Sequence, residues 1–216
     1  MKSNGVSIEL HSGDLPDDVG FGDCVAMDTE TMGLDLRRDR LCLVQTTAGD
    51  GVCHLVQFPL EPGATGGRDR YAAPNLRALL ADERVTKLFH YARFDVAMLR
   101  RHLGVTCRPV YCTKIASKLV RTYTDRHGLK DLCGELLGIS LAKEQQSSDW
   151  GAPTLTGEQL KYAAGDVIHL HRLRDKLNEM LMREGRIELA EACFRFLPER
   201  VRLDLEGWES EDIFAH

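Results

Sequence analysis

The chain has 216 residues, of which 43% are hydrophobic, and it carries a formal net charge of −5 at pH 7. This length and composition predict a single globular domain, residues 1–216, with a sizeable core. The negative charge argues against tight, sequence-independent binding along a long duplex, because that binding needs many Lys or Arg contacts to phosphates. No stretch approaches the roughly 18 apolar residues of a membrane span.

The N-terminus and the cysteines indicate where the protein works. The first residues, MKSNGVSIELHSGDLPDD, lack the basic start and apolar run of a secretory signal. The seven cysteines are scattered without a Cys-x-x-Cys pair, so we expect reduced, buried thiols. A cytoplasmic protein is predicted.

The first half of the chain alternates strand and helix patterns. Apolar runs predict strands over 24–28, 41–47 and 51–58, and the Ala-Gly-Asp-Gly segment between the last two is typical of a hairpin. Three antiparallel strands should therefore open the domain. They are followed by a short helix over 74–80, a fourth strand over 85–90, and a helix from about Arg93 to His102 that stops at Gly104.

The second half is predicted to be helical. We expect helices over 113–121 and 128–137, and then one long helix that begins at Thr156. There Thr156 and Gln159 form the pattern of a capping box, and an apolar stripe continues to Leu181. The C-terminal segment, residues 194–216, contains aromatic residues, so we expect it to dock on its own domain or on a neighbouring subunit.

Four acidic residues and a tyrosine stand out by their order and context. Asp28 and Glu30 are two residues apart at a strand end, so their side chains share a face, and Asp95 lies at the start of a helix. Tyr162 and Asp166 are four residues apart on the capped helix, about one turn from each other. Each feature alone has an ordinary explanation, since acids often end strands and begin helices. Their joint occurrence is the stronger signal.

The chemistry of such a set follows from electrostatics. Two carboxylates about 4 Å apart repel by roughly 4 kcal/mol at an effective dielectric near 20, so four in one cleft require cations between them. Hard oxygen ligands favour Mg²⁺ or Mn²⁺, and two such ions can promote in-line displacement at a phosphodiester. The sequence thus predicts metal-dependent phosphodiester hydrolysis, with Tyr162 orienting the attacking water or helping to deprotonate it.

The blocks MDTET, FHYARFD and YAAGD resemble the DEDD exonuclease superfamily, in the tyrosine-containing subgroup that includes ribonuclease D. The resemblance implies an α/β, ribonuclease H-like fold with a mixed central β-sheet flanked by helices, and catalysis by two divalent metal ions. It also implies which residues form the catalytic set: Asp28, Glu30, Asp95, Tyr162 and Asp166, the four carboxylates being the metal ligands.

Longer stretches, among them RDRLCLVQ, QQSSDW and LDLEGWESEDIFAH, resemble the nanoRNase C family of single-domain bacterial diribonucleases. This similarity runs from about residue 10 to the C-terminus. It implies a 3′-5′ exoribonuclease that cleaves dinucleotides to nucleoside 5′-monophosphates. It further implies a homo-octamer whose active sites face inward.

The segment from Arg108 to Lys130 carries six basic residues and one acidic residue. Its ordinary interpretation is a solvated helix face. The resemblance offers a second one, because a dinucleotide-selective pocket must end in groups that hold the 5′-phosphate. Leu34 could lie between the two bases, and it could equally be a core leucine. The candidates for substrate binding are Leu34, His90, Lys114, Lys118, Arg121, Arg126, His127, Lys130, Ser147 and Ser148.

Two alternatives to a diribonuclease stay open. One is a general ribonuclease D-like 3′-5′ exonuclease that trims longer RNA or DNA ends. The other is a non-catalytic RNA-binding scaffold, which the presence of all five site residues disfavours. The helical nucleic-acid-binding domains of full-length ribonuclease D do not follow residue 216, so we do not expect processing of structured tRNA precursors.

Overall fold

The computed structural model describes residues 1–3, 5–59, 71–141 and 148–215. Within these ranges seven strands form one sheet. The strands are Lys2–Ser3 (β1), Val6–Ser12 (β2), Cys24–Thr31 (β3), Leu41–Thr47 (β4), Val52–Gln57 (β5), Thr86–Phe89 (β6) and Val110–Cys112 (β7).

The sheet is mixed, with the order β1-β2-β5-β4-β3-β6-β7. Strand β4 pairs antiparallel with both β3 and β5, so these three strands form the antiparallel set that the sequence predicted. Strand β2 adds parallel to β5, and β6 and β7 add parallel on the side of β3. Every residue of β4 is buried. Since alternate residues of a strand point to opposite faces, both faces of the sheet centre are covered.

Helices pack around this sheet. Helix α2 contacts β3, β4, β6 and β7, whereas α5 contacts β2 through β5. A π-helical turn, Cys133–Leu137, extends α4. The helices are Pro74–Ala81 (α1), Ala92–Leu103 (α2), Thr113–Val120 (α3), Leu129–Leu132 (α4), Gly157–Val167 (α5), Leu170–Arg183 (α6) and Ile187–Leu203 (α7).

The single long helix predicted from Thr156 to Leu181 is wrong. Its beginning is as expected, because the Thr156 hydroxyl accepts from the backbone N–H of Gln159, whose side chain accepts from the Thr156 N–H in return. The helix ends near Ile168, and α6 begins beyond His169, whose φ of −103° departs from ideal helical geometry. Val167 and Leu170 are both buried, so the apolar stripe continues across the break and conceals it.

Four other elements were not predicted: the strands β1, β2 and β7, and helix α7. Helix α7 includes Pro198 in its interior and packs against α2, so the first part of the 194–216 segment lies on its own domain. Just beyond it, the buried carboxylate of Asp204 accepts hydrogen bonds from Arg93 and Arg200. Phe214, in contrast, is 74% exposed. Contact with a neighbouring subunit stays a prediction.

The cysteines have the state that their pattern predicted. All seven are free, and six of them are buried. Burial raises the pKa of Cys53 and Cys107 to about 12, so both remain thiols. Among the described residues, no helix is both long and apolar enough to cross a membrane.

Candidate active site

Strand β3 brings the first two acids to the site. Asp28 and Glu30 lie near its C-terminal end, where the register with β4 shifts between Glu30 and Thr31. Helix α5 packs against β3 and brings Asp166 to them. One carboxylate oxygen from each of Asp28, Glu30 and Asp166 lies within 4.8 Å of the others. Two elements far apart in sequence thus form one compact acidic group.

Asp95 reaches the same cleft from α2. That helix begins after Tyr91, whose φ of 63° places it in the left-handed region, a rare conformation for a residue other than glycine. Asp95 is buried, and its Oδ1 accepts a hydrogen bond of 2.7 Å from the Thr29 hydroxyl. It lines the cleft with the other three acids but is not part of their compact group.

Burial raises the pKa of all four carboxyl groups, and repulsion from neighbouring carboxylates adds to the increase for Asp28, Glu30 and Asp95. For Asp28 the causes are burial and then the charges of Asp95, Asp166 and Glu30. Burial, with the charges of Asp166 and Asp95, raises the pKa of Glu30 to about 9. Burial raises the pKa of both Asp95 and Asp166 to about 7. The cleft therefore holds protons at neutral pH unless a cation compensates the negative charge.

This donor set fits a divalent cation. All four groups offer carboxylate oxygens, the ligand type that hard ions such as Mg²⁺ and Mn²⁺ prefer. A dication near Asp28, Glu30 and Asp166 would compensate their negative charge and so favour the ionised form of all three. The four acids therefore fit a divalent cation in ligand type, and Asp28, Glu30 and Asp166 also fit it in proximity.

Tyr162 lies one turn before Asp166 on α5, and its phenol is close enough to the Asp166 carboxylate for the two groups to shift each other's pKa. Its ring packs against Trp150, with 6.1 Å between ring centroids. Burial and then the nearby charges of Asp166, Glu30 and Asp28 raise the pKa of the phenol. Tyr162 is therefore a neutral hydrogen-bond donor at physiological pH.

The acids and Tyr162 line a cleft of about 730 Å³, a size typical of small-molecule sites. A family model described as 3′-5′ exonuclease matches residues 13–182, a span that contains all five residues. The chain belongs to the 3′-5′ exonuclease family.

Curated members of this family that resemble the chain are longer than it. Ribonuclease D from Gluconacetobacter diazotrophicus is 35% identical over 164 residues, which cover 76% of this chain and 39% of that protein. DNA polymerase I from Aquifex aeolicus is 34% identical over 155 residues, 72% of this chain and 24% of the polymerase. The chain thus spans about two fifths of the length of the ribonuclease D relative.

Solved structures include exonucleases of the same length. Brucella melitensis NrnC is 54% identical with a TM-score of 0.89, and the match covers 97% of this chain and 98% of NrnC. Structures of NrnC bound to pGG and with bound Mg²⁺ match equally well, at 53% and 52% identity. Escherichia coli RNase D, at 24% identity and a TM-score of 0.70, covers 88% of this chain and 48% of that protein and shares the fold. The ribonuclease H-like, mixed α/β fold is confirmed.

Five of the substrate-binding candidates line the cleft of this exonuclease: Leu34, His90, Lys114, Lys130 and Ser148. Leu34 is 80% exposed, so the interpretation as a core leucine is wrong. The Lys114 ammonium lies 4.0 Å from the centroid of the Tyr91 ring. Burial, and then the charge of Lys114, lowers the pKa of His90 to about 3, so its imidazole is neutral. Ser147 lies outside the described residues.

Of the other basic candidates, Lys118 is exposed and is not among the described residues that line the cleft, while Arg121, Arg126 and His127 have structural partners. Arg121 is fully buried, and its guanidinium binds the Glu135 carboxylate and the Arg126 carbonyl. It therefore stabilises the chain between α3 and α4 and does not face the cleft. The Arg126 side chain pairs with Asp131 at 2.6 Å. The ring of His127 is 2.8 Å from the Ser117 hydroxyl. In the described part of the chain, neither Arg126 nor His127 lines the cleft.

Sequence analysis missed several residues that shape the site. Thr29 holds Asp95, and Gln45 donates to Asp28 at 3.3 Å from the neighbouring strand. Tyr91 and Trp150 line the cleft. The position of Thr29 between Asp28 and Glu30 could have indicated from the sequence that it lies near the site. For Gln45 no signal existed, because its approach to Asp28 depends on the pairing of β4 with β3.

Proposed function

We propose that this exonuclease hydrolyses RNA dinucleotides from the 3′ end and releases nucleoside 5′-monophosphates. The observation that carries this proposal is the likeness to Brucella melitensis NrnC bound to pGG, which is 53% identical and covers 98% of this chain and 99% of NrnC. The cleft adds support, since a volume of about 730 Å³ suits a short substrate.

We further propose that Asp28, Glu30, Asp95 and Asp166 hold two divalent ions, Mg²⁺ or Mn²⁺. The NrnC structure with bound Mg²⁺ supports this choice, as do the oxygen donors and their mutual repulsion. Such ions, when bound, make water more acidic and neutralise charge on the phosphate. Thr29 and Gln45 then act as positioning residues, because they fix the carboxylates of Asp95 and Asp28.

Tyr162 has an orienting role in this proposal. Its raised pKa makes it a poor base at neutral pH, whereas its hydroxyl, placed beside Asp166, can hold a water in line with the phosphodiester. Of the two roles predicted for Tyr162, orientation of the water is therefore favoured.

Substrate length is set, in this proposal, by residues of the cleft that hold the 5′-phosphate. Lys114, Lys130 and Ser148 supply donors that can hold a 5′-phosphate. Leu34, 80% exposed at the cleft, offers an apolar surface to the bases. Arg126 and His127 are weaker candidates for binding the 5′-phosphate, since both side chains already have protein partners.

The test is the reaction of pGG with purified protein and Mg²⁺, followed by chromatographic identification of the product. We expect guanosine 5′-monophosphate, and no turnover once a chelator has removed the metal. Guanosine 3′,5′-bisphosphate and guanosine as products, or full activity in the chelator, would refute the proposed chemistry.

The assembly and the compartment are proposed on separate grounds. A homo-octamer is inferred from the resemblance to the nanoRNase C family, and the exposed apolar side chains of Trp208, Ile213 and Phe214 are compatible with it. Light scattering should give eight times the chain mass of 24.2 kDa, and a monomer would refute the assembly.

A cytoplasmic location is inferred from the seven free cysteines.

A second candidate function is the trimming of longer RNA or DNA ends. It is favoured by the identity of 35% to ribonuclease D and 34% to DNA polymerase I. The two functions differ in how the rate depends on substrate length, and that dependence decides between them.

A further inference from the structure

A second group of metal-ligating side chains lies on the N-terminal side of the sheet, on β2 and β5. Glu9 and His11 are two residues apart on β2, so both point to the same face. Glu9 is paired in register with His54 of β5, which places the His54 side chain on that face as well. The strand pairing alone therefore gathers one carboxylate and two imidazoles.

Their ligand atoms converge on a small volume. Nε2 of His11 is 3.1 Å from Nδ1 of His54, and Oε2 of Glu9 is 3.5 Å from the same Nδ1. All three atoms lie within 4.8 Å of one another. Two ligands of a tetrahedral zinc ion with bonds near 2.0–2.1 Å are themselves about 3.4 Å apart. The two printed separations lie close to this value, and the one between the imidazoles is also that of a hydrogen bond, which an ion would replace.

The surroundings hold these groups in place and leave access to solvent. The His11 and His54 rings stack with centroids 5.3 Å apart, and Phe21 packs edge-on against His54 at 6.0 Å. His54 is 9% exposed, whereas the Glu9 side chain is 49% exposed. An ion can therefore enter past Glu9 and find the imidazoles already positioned. Burial and the neighbouring His54 lower the pKa of His11, which favours the neutral, ligating form at pH 7.

We propose that Glu9, His11 and His54 form a binding site for Zn²⁺ or a closely similar transition-metal ion. Imidazole nitrogens select such ions, whereas the all-oxygen cleft selects Mg²⁺ or Mn²⁺. None of the three residues is among the described residues that line the cleft. Three protein ligands leave a fourth position for water. The ion joins β2 to β5 and thereby fastens the edge of the sheet.

The test counts zinc bound per chain by equilibrium dialysis in excess Mg²⁺, which occupies the carboxylate cleft. The parent protein should bind one zinc ion more per chain than His11→Gln. We expect His11→Gln to weaken zinc binding by roughly 100-fold and Glu9→Gln by roughly tenfold. His169→Gln, which removes a histidine from the boundary of α6, is the matched control and should bind zinc like the parent.

Two further readouts locate the ion and check the fold. Crystals with one equivalent of zinc should show an anomalous peak between the three side chains, and zinc should raise the Tm of the parent but not of His11→Gln. Circular dichroism without zinc shows whether each variant is folded. Should His11→Gln not fold, Glu9→Gln decides, because its side chain is half exposed. Equal zinc binding by the parent and the folded variant, or a peak in the carboxylate cleft alone, overturns the proposal.

Discussion

Asp28 shows what could be inferred from residue types and what needed the fold. Its place in Asp-x-Glu at a strand end, together with Asp95 and the Tyr162–Asp166 pair, was sufficient to predict a cluster of carboxylates. The structure brings Asp28, Glu30 and Asp166 within 4.8 Å and adds the hydrogen bond from Gln45 to Asp28. That partner lies on β4, and only strand register determines which of its side chains faces Asp28.

Replacement of Asp28 by Asn should separate stability from activity. The change removes one of four mutually repelling buried carboxylates, so the metal-free protein should have a higher Tm than the parent. It also removes a metal ligand, so Mg²⁺ should stabilise the variant less, and kcat for pGG should fall by about 10³-fold. Differential scanning fluorimetry with and without Mg²⁺ and a pGG assay measure both effects.

The matched control for this variant is Glu179→Gln, which changes an exposed carboxylate that pairs with Lys176. It should leave the Tm, the response to Mg²⁺ and kcat unchanged. A parent-like kcat for Asp28→Asn would contradict the assignment of Asp28 to the metal site.

Replacement of Tyr162 by Phe removes the hydroxyl and retains the ring that packs against Trp150. An orienting role predicts that kcat falls by about 10²-fold while KM changes little. Tyr111→Phe removes a hydroxyl that donates to Asn178 and should keep the parental kcat. Steady-state kinetics on pGG compare the three proteins, and a Tyr162→Phe variant with parental kcat would exclude the role.

At the scale of elements, local signals predicted the structure where they were strong and failed where tertiary contacts decide. The hairpin of β4 and β5 and the capping box at Thr156 were both recognised. The break between α5 and α6 was missed because the apolar stripe is continuous across it. Strand β7 is only three residues long and depends on its pairing with β6. No local sequence pattern predicts that pairing.

The buried side chain of Lys87 stabilises the position of strand β6. It lies in β6, it is fully buried, and its ammonium donates to the backbone carbonyls of Asp82, Val85 and Arg108. Burial lowers its pKa from the ordinary value. These bonds tie the segment before β6 to the segment before β7.

Lys87→Met should therefore reduce the free energy of unfolding by about 2–4 kcal/mol, because it leaves buried carbonyl groups without a donor. Urea denaturation followed by circular dichroism measures the loss. The exposed Lys161 supplies the control, since Lys161→Met should change stability by less than about 0.5 kcal/mol. An equal effect of both substitutions would show that the three bonds contribute nothing.

At the scale of the whole molecule, charge and cleft size bear on what the exonuclease acts upon. A net charge of −5 disfavours a long polyanion along the surface, while Lys114 and Lys130 line the cleft itself. Positive charge is thus present in the cleft despite the negative charge of the whole chain. The carboxylate set supports phosphodiester hydrolysis without fixing substrate length, so length requires its own experiment.

Dinucleotide selectivity is tested most directly by kcat/KM for 5′-phosphorylated RNAs of two to seven nucleotides, measured with the same protein in Mg²⁺. If a pocket holds the 5′-phosphate, we expect kcat/KM for the dimer to exceed that for the trimer by at least about tenfold and to decline further at greater lengths. Each tenfold step requires only about 1.4 kcal/mol of differential binding of the transition state. A seven-mer consumed as fast as the dimer would contradict the selectivity and favour a general exonuclease.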